Sequence, residues 1–332
     1  MEPRWQWDAY SLRPVYNPQG RFYSYAPSVI GNGATEHIWS CRNAQEGVIR
    51  DHIFYTRRVR GAVMESRSVL AGGATGAWDS FHTCDPSVIQ TRIRYGGEVF
   101  HYAMFYLGND VNASRHNQIG LAVAGRIIGP WRKFPLPLVR STNPQDWGVG
   151  QPSALSVNRR GRILLFYTRG DGLGTRAFFR ELDLADLNFP VVGEEKLVTT
   201  NGLTGRDGAP DWLNNFDVVL DAARHRFYIV REQHPYPQSH PAYIGARLQI
   251  ASINADALTK GGGVWRVENT ITPEFTGFAR NHNAGFKRSA WGALCKTNQI
   301  SVVFARSCAA GSDGECPTPE WSYDLWEVTA NR

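Results

Sequence analysis

Lysine is scarce in this chain: five lysines stand against 31 arginines among 332 residues. The net charge of +6 is therefore carried by guanidinium groups, and these are dispersed rather than bunched. No Lys/Arg cluster of the kind that tracks a phosphate backbone occurs, so DNA and RNA are not expected partners. No run of about 18 apolar residues occurs, and no membrane span is expected. Residues 1–7 lack a basic n-region and an apolar core, so no signal peptide is expected. That reading puts the chain in the cytoplasm, or outside it if a leader has been removed. None of the five cysteines forms a Cys-x-x-Cys pair, which argues against a structural zinc site. Apolar positions with a 3.6-residue period are missing too, beyond single turns expected at Asp183–Leu187 and Asn254–Thr259. That excludes a helix-built fold.

What remains is abundant in strand formers. Hydrophobic residues make up 42% and aromatics 12%, enough for a large core and too much for general disorder. The 33 glycines and 18 prolines are spread along the chain as turn punctuation, not gathered into a linker. Cys308 and Cys316 flank a Gly/Asp loop and are placed to form a local disulfide. Cys41 and Cys84 fall at the ends of expected strands, and Cys295 reads as a small buried hydrophobe.

Short β-branched and aromatic runs recur every 65 residues or so. Four of them end on an arginine: His37–Cys41 before Arg42, Leu164–Thr168 before Arg169, Phe227–Val230 before Arg231 and Val302–Ala305 before Arg306. A fifth, Tyr102–Leu107, is followed by Gly108-Asn109-Asp110. Each run trails a second motif by a similar distance: Ala26-Pro27-Ser28, Asp85-Pro86-Ser87, Gln151-Pro152-Ser153, Phe216-Asp217-Val218 and Asn283-Ala284-Gly285. A repeat of this length with several strands predicts an all-β, five-bladed β-propeller of four-stranded blades in one domain. The blades are expected near 25–73, 83–140, 150–200, 212–270 and 282–330, with residues 4–16 closing the last. Inner strands line the channel and second strands return to the face where the first began. That face is expected to hold Asp85, Gln151, Asp217, His282 and Asn283, with Arg42, Asn109, Asp110, Arg169, Asp171, Arg231, Glu232, His234 and Arg306. The segment Trp78–His82 leads to the same rim, as do Trp147, Trp212 and Arg280.

These motifs resemble the five-bladed β-propeller glycoside hydrolases, the broad group that contains family 43 arabinofuranosidases and xylosidases with related fructan-cleaving and mannoside-phosphorolysing families. Cys84-Asp85-Pro86-Ser87-Val88, Ile119–Ala124 leading to Gly129-Pro130-Trp131, and Gln151-Pro152-Ser153-Ala154 with Leu164–Thr168 carry the likeness. It implies hydrolysis of a glycosidic bond in a furanosidic or acidic oligo- or polysaccharide by carboxylates, with Asp85 as base and Asp217 as the second, pKa-tuning aspartate. The family's Glu-Gly-Pro motif is absent, so Glu232 takes the proton-donor role in this reading, with Asp110 and Asp171 behind it. Inversion needs two carboxyls about 6.5–9.5 Å apart, with one protonated and one ionised. Sugar contacts are expected from His82, Gln151, Trp212, Arg280, His282 and Asn283.

Arginine forks suit carboxylate or phosphate. Arg42, Arg169, Arg231 and Arg306 therefore suggest a uronate-bearing or phosphorylated glycan, against the alternative of a network tying blade to blade. No cofactor is required, although a channel calcium accompanies some relatives. A phosphorylase and a non-catalytic carbohydrate-binding propeller are the competing readings.

Overall fold

The computed structural model describes residues 5–16, 24–45, 48–239, 242–307 and 323–332. After β1 (Gln6–Tyr16) the chain forms β2 (Ser24–Asn32), β3 (Thr35–Gln45), β4 (Val48–Val59) and β5 (Ala62–Leu70). Next come β6 (His82–Tyr95), β7 (Glu98–Asn109), β8 (Gln118–Ala124) and β9 (Arg132–Lys133). The third group is β10 (Gly148–Ser156), β11 (Arg162–Asp171), β12 (Gly174–Asp183), β13 (Val191–Val192) and β14 (Lys196–Leu197). The last two are β15 (Asp217–Asp221), β16 (Arg226–Glu232), β17 (Leu248–Asn254) and β18 (Arg266–Ile271), then β19 (Arg280–Arg288), β20 (Gln299–Ser307) and β21 (Tyr323–Asn331).

Strands β6–β9, β10–β14 and β15–β18 make three separate antiparallel sheets. The remaining strands form one eight-stranded sheet, in which the run β1-β21-β20-β19 meets the run β2-β3-β4-β5. The join is a short parallel contact of Lys287 with Val29 and Arg288 with Ile30. β1 pairs with β21, Gln6 opposite Asn331, so both ends of the chain share one sheet. The fold is nearly all β and propeller-like.

Period two explains the stacking. On β11, Ile163, Leu165 and Tyr167 join the core that holds Phe105 and Leu121, while Leu164 and Phe166 join the core that holds Phe227 and Ile229. β16 divides likewise, sending Phe227 and Ile229 one way and Tyr228 and Val230 the other. Each middle strand is thus apolar on both faces, and each such side chain contributes about 2 kcal/mol by leaving water. Short α-turns fill the edges. Asn254 caps α1 (Ala255–Thr259) by accepting from the Ala257 N–H, and α2 is Pro273–Thr276. No helix forms at Asp183–Leu187, where Ala185 N–H is taken by the Asp183 carboxylate in a local turn.

Cys41 and Cys84 are joined in a disulfide between β3 and β6. Cys295 is exposed, contrary to its expected burial, because it sits in the loop before β20 and faces outward. Cys308 and Cys316 lie outside the described residues.

Around the channel the inner strands are stapled in succession. Ser28 Oγ accepts from Val88 N–H at 3.1 Å, Ser87 Oγ from Ala154 N–H at 2.9 Å and Ser153 Oγ from Val218 N–H at 2.9 Å. Asp217 Oδ2 accepts from Phe286 N–H at 2.8 Å. At the equivalent place on β19 stands Gly285, where an added Cβ would lie 2.0 Å from the Pro27 carbonyl oxygen. Only glycine lets β19 approach β2 this closely.

Candidate active site

Just above this ring, the backbone departs from regular pairing. Register shifts fall between Tyr25 and Ser28, Cys84 and Ser87, Gly150 and Ser153, and His282 and Gly285. Within each shift one residue takes a left-handed backbone: Ala26 (φ 49°), Asp85 (46°), Gln151 (54°) and Asn283 (40°), with Asn215 (43°) just ahead of β15. Three of these precede proline, which favours extended backbone at the preceding position. Holding such residues at positive φ costs about 1–3 kcal/mol each, and strain of this kind gathers at functional sites. The bulges aim Asp85, Gln151, Asn215 and Asn283 into one cavity.

The cavity has a volume of about 700 Å³. Among the described residues its wall carries one carboxylate, Asp85, and two imidazoles, His82 and His282, with no lysine or arginine. Seven amides surround them: Asn109, Asn112, Asn117, Gln151, Asn214, Asn215 and Asn283. Tyr25, Phe81, Trp147 and Tyr243 add aromatic surface. The Trp147 indole is accommodated by Gly150 and Gly170, whose added Cβ atoms would lie 2.9 and 3.4 Å from it.

Asp85 sits on the disulfide. Its N–H is 2.9 Å from Cys41 Sγ, and its Oδ1 is 3.4 Å from Cys84 Sγ. Burial pushes its carboxyl up to about 7; Asp51 and Glu232 add to the rise, while the Gln151 N–H and His282 oppose it. His282 faces a second acid: its Nδ1 is paired with Glu232 Oε1. Glu232 is fully buried and also accepts from the Tyr236 hydroxyl and from Asn283 N–H at 3.1 Å. Burial alone would raise its carboxyl, but His282 and Tyr236 outweigh it and hold the group below its ordinary value. His82 lies with its Nε2 3.6 Å from Asp51 Oδ2, and its Nδ1 accepts from Asp51 N–H at 3.2 Å. Burial pushes the His82 imidazole below its ordinary value despite that acid, which favours the neutral ring.

The cavity thus gathers Asp85, His82, Gln151, His282 and Asn283 from the expected set, with Asn109 and Trp147 from the expected rim. Glu232 stands behind His282 rather than on the wall, with its carboxyl held below its ordinary value by His282 and Tyr236. Asp217 is not on this wall either. It borders a narrow cavity below, where Ser153 Oγ donates to it at 2.6 Å and Arg288 Nη1 approaches to 3.4 Å. Arg288, absent from the expected set, is buried in the channel and donates to Ala154 O, Val218 O and Ser87 Oγ. Nothing in its local sequence distinguishes it from other arginines.

The recurrent arginines are engaged away from the cavity. Arg169 pairs with Glu195 at 2.5 Å, and buried Arg231 pairs with Asp211 at 2.5 Å. Arg42 donates to the Tyr16 hydroxyl, Arg280 donates to Ser239 O, and Arg306 lies over the Phe278 ring. Asp171 is held by Arg176 at 2.6 Å and Asp110 by His116 at 2.8 Å. Trp212 stacks on His234 with centroids 3.9 Å apart, outside the cavity wall. Asn117, Asn214 and Asn215 escaped the sequence reading; Asn215 stands directly before the Phe216 motif, at the position equivalent to Asp85.

No family model matches the chain, and no curated protein matches its sequence. Solved structures do match its fold. It is similar to a family 117 glycoside hydrolase produced by the marine bacterium Zobellia galactanivorans, with a TM-score of 0.66 at 9% identity, covering 99% of this chain and 91% of that one. It is also similar to an α-L-arabinofuranosidase from Podospora anserina in complex with cellotriose (TM-score 0.60, 11% identity, 99% and 98% covered). A thermostable family-43 glycoside hydrolase aligns at 0.58 and 15% identity over 96% and 92%. At such identities the likeness is one of fold, and in fold the neighbours are the β-propeller glycoside hydrolases.

Proposed function

We propose that this chain is a five-bladed β-propeller glycoside hydrolase that cleaves a neutral glycoside with inversion, using Asp85 as base and His282 as proton donor. The observation that carries the reading is the strained, desolvated carboxylate Asp85, the only one on the wall among the described residues, sharing a cavity with an imidazole that is backed by the buried Glu232. Glycoside cleavage needs a proton delivered to the leaving oxygen and a base to activate water on the other face. In this reading His282, paired through Nδ1 with the Glu232 carboxylate, gives the proton up, and ionised Asp85 takes one from water. With one carboxylate on the described wall, no second one stands ready as nucleophile, which favours inversion over retention.

The amide-rich, aromatic wall suits hydroxyl groups and sugar ring faces. Among the described residues it has no guanidinium or ammonium group, which weighs against the uronate, phosphorylated-glycan and phosphorolysis readings. A metal is not invoked. Both groupings of potential ligands spend Cys84 in the disulfide, and the channel below already seats the Arg288 cation beside Asp217.

The test is a panel of neutral and uronide aryl glycosides, with the anomer of the first product read by NMR. Turnover of a neutral member without phosphate, lost about 10³-fold or more in Asp85→Asn with ligand binding kept, is expected. Undiminished turnover in that variant rejects the assignment.

A further inference from the structure

Behind the cavity wall lies a second acid. Asp51, on β4, is fully buried. Three side chains from two strands hold it: the Tyr25 hydroxyl from β2 donates to its Oδ2, His82 from β6 pairs with that same oxygen, and Thr83 Oγ1, also from β6, donates to its carbonyl. Two of these holders, Tyr25 and His82, are themselves part of the cavity wall. The other neighbour is the disulfide. Ligand atoms of Asp51, His82 and Cys84 lie within 4.8 Å of one another, as do those of Cys41, Cys84 and Asp85. The Cys84 sulfur is therefore close to both carboxylates, 3.4 Å from Asp85 Oδ1 and within 4.8 Å of an Asp51 carboxylate oxygen. A disulfide has no proton to give and little capacity to screen. Across it, Asp51 acts on Asp85 through space.

We propose that Asp51 is a positioning residue of the site, which fixes Tyr25 and His82 in the wall and sets the protonation of Asp85 without touching substrate. The inference rests on Asp85 being the base. The charges facing Asp85 are Asp51 from β4, Glu232 from β16 and His282 from β19, together with the Gln151 N–H of β10. Asp51 and Glu232 raise its carboxyl, while His282 and the Gln151 N–H lower it. Asp217, the aspartate marked out by the motif resemblance, is absent from that group; it is occupied with Ser153, Phe286 and Arg288. The tuning acid of this molecule thus comes from the third strand of the first sheet run, not from the inner strand of the fourth.

The experiment compares the pH dependence of kcat/KM in wild type, Asp51→Asn and Asp217→Asn. Wild type rises through a limb near pH 7 as Asp85 ionises. Asp51→Asn moves that limb down by about one pH unit, because a like charge has been removed. Asp217→Asn leaves it in place whatever it does to stability. Tyr25→Phe, which withdraws the hydroxyl that partly neutralises Asp51, moves the limb the other way and serves if Asp51→Asn does not fold. Infrared titration follows the carboxyl band lost in Asp85→Asn, and so reads the same proton without turnover. A limb and band unmoved in Asp51→Asn, or moved upward, overturn the inference, as does an unmoved Tyr25→Phe. Turnover retained by Asp85→Asn would instead sink the proposed function, so the two failures are distinguishable.

Discussion

Asp85 concentrates the tension in this molecule. Its backbone is left-handed before a proline, and its carboxyl is pushed to about 7 from an ordinary 3.8. Linkage gives the sign. The folded state holds the Asp85 proton more tightly than the unfolded chain, so stability is lost as pH rises from near 4 and the loss is complete above about 7. Asp85→Asn removes that cost. Thermal unfolding should show a gain in Tm at pH 8 that shrinks to nothing by pH 4, in a variant that is catalytically dead. A gain independent of pH would mean the carboxyl is not desolvated. For Glu232 the expectation is different. Glu232→Gln keeps one acceptor oxygen for the Asn283 N–H, turns the other into an amide donor facing Tyr236, and withdraws the charge opposite His282. In a kcat against KM comparison, kcat should fall by about 10²-fold while KM moves little. A KM effect alone would make Glu232 a binding residue.

Among strands, the ring of side chain to backbone bonds decides register. Ser153 both accepts from Val218 N–H and donates to Asp217, whereas Ser28 accepts from Val88 N–H. Ser153→Ala should therefore cost about 2 kcal/mol in urea unfolding, more than Ser28→Ala at about 1 kcal/mol. Equal costs would show that the Asp217 contact adds nothing. Gly285→Ala is the severe change of this set. With the Pro27 oxygen 2.0 Å from the new Cβ, β19 and β2 must part, and loss of soluble protein or of at least ~3 kcal/mol is expected. The Pro-Ser motifs made this ring visible in outline, since Ser28, Ser87 and Ser153 sit at one place in the repeat. That Asp217 takes over the serine's role was not visible. Its motif, Phe216-Asp217-Val218, aligns one residue later than Asp85-Pro86-Ser87, and only the positive φ at Asn215 fixes the correspondence.

Across the entire fold, closure brings the two chain ends together. Lys287 bridges Glu36 and Glu327, Arg58 holds Glu36 at 2.6 Å, and Arg13 holds Glu327 at 2.9 Å. This chain of charges spans the parallel join of β19 with β2 and the pairing of β1 with β21. Burial would raise the Glu36 carboxyl, but Lys287 and Arg58 hold it below its ordinary value. Its contribution to stability is present above about pH 4.5 and is lost as the carboxyl protonates below that. Lys287→Met leaves two buried acids with one cation each. A loss of about 2 kcal/mol at pH 7, shrinking in acid, is expected from unfolding curves; a pH-independent loss would point to packing instead.

Local chemistry in the chain determined a good deal. Period-two apolar runs and spaced glycines and prolines specify strands because one residue's neighbours in sequence alternate between faces, and the all-β class follows. The repeated Pro-Ser motifs marked Asp85 and Gln151, since both stand at the bulge itself. What the repeat could not decide was which charges meet. Arg169, Arg231 and Glu232 have partners 20 to 50 residues away in sequence, namely Glu195, Asp211 and His282. Whether an arginine faces a cavity or an acid depends on where neighbouring sheets set their loops. Asp51 comes near Asp85 where the Cys41–Cys84 disulfide and the His82 and Thr83 contacts hold the first sheet run against β6. Such contacts are set by packing across sheets, and no period along the chain encodes them.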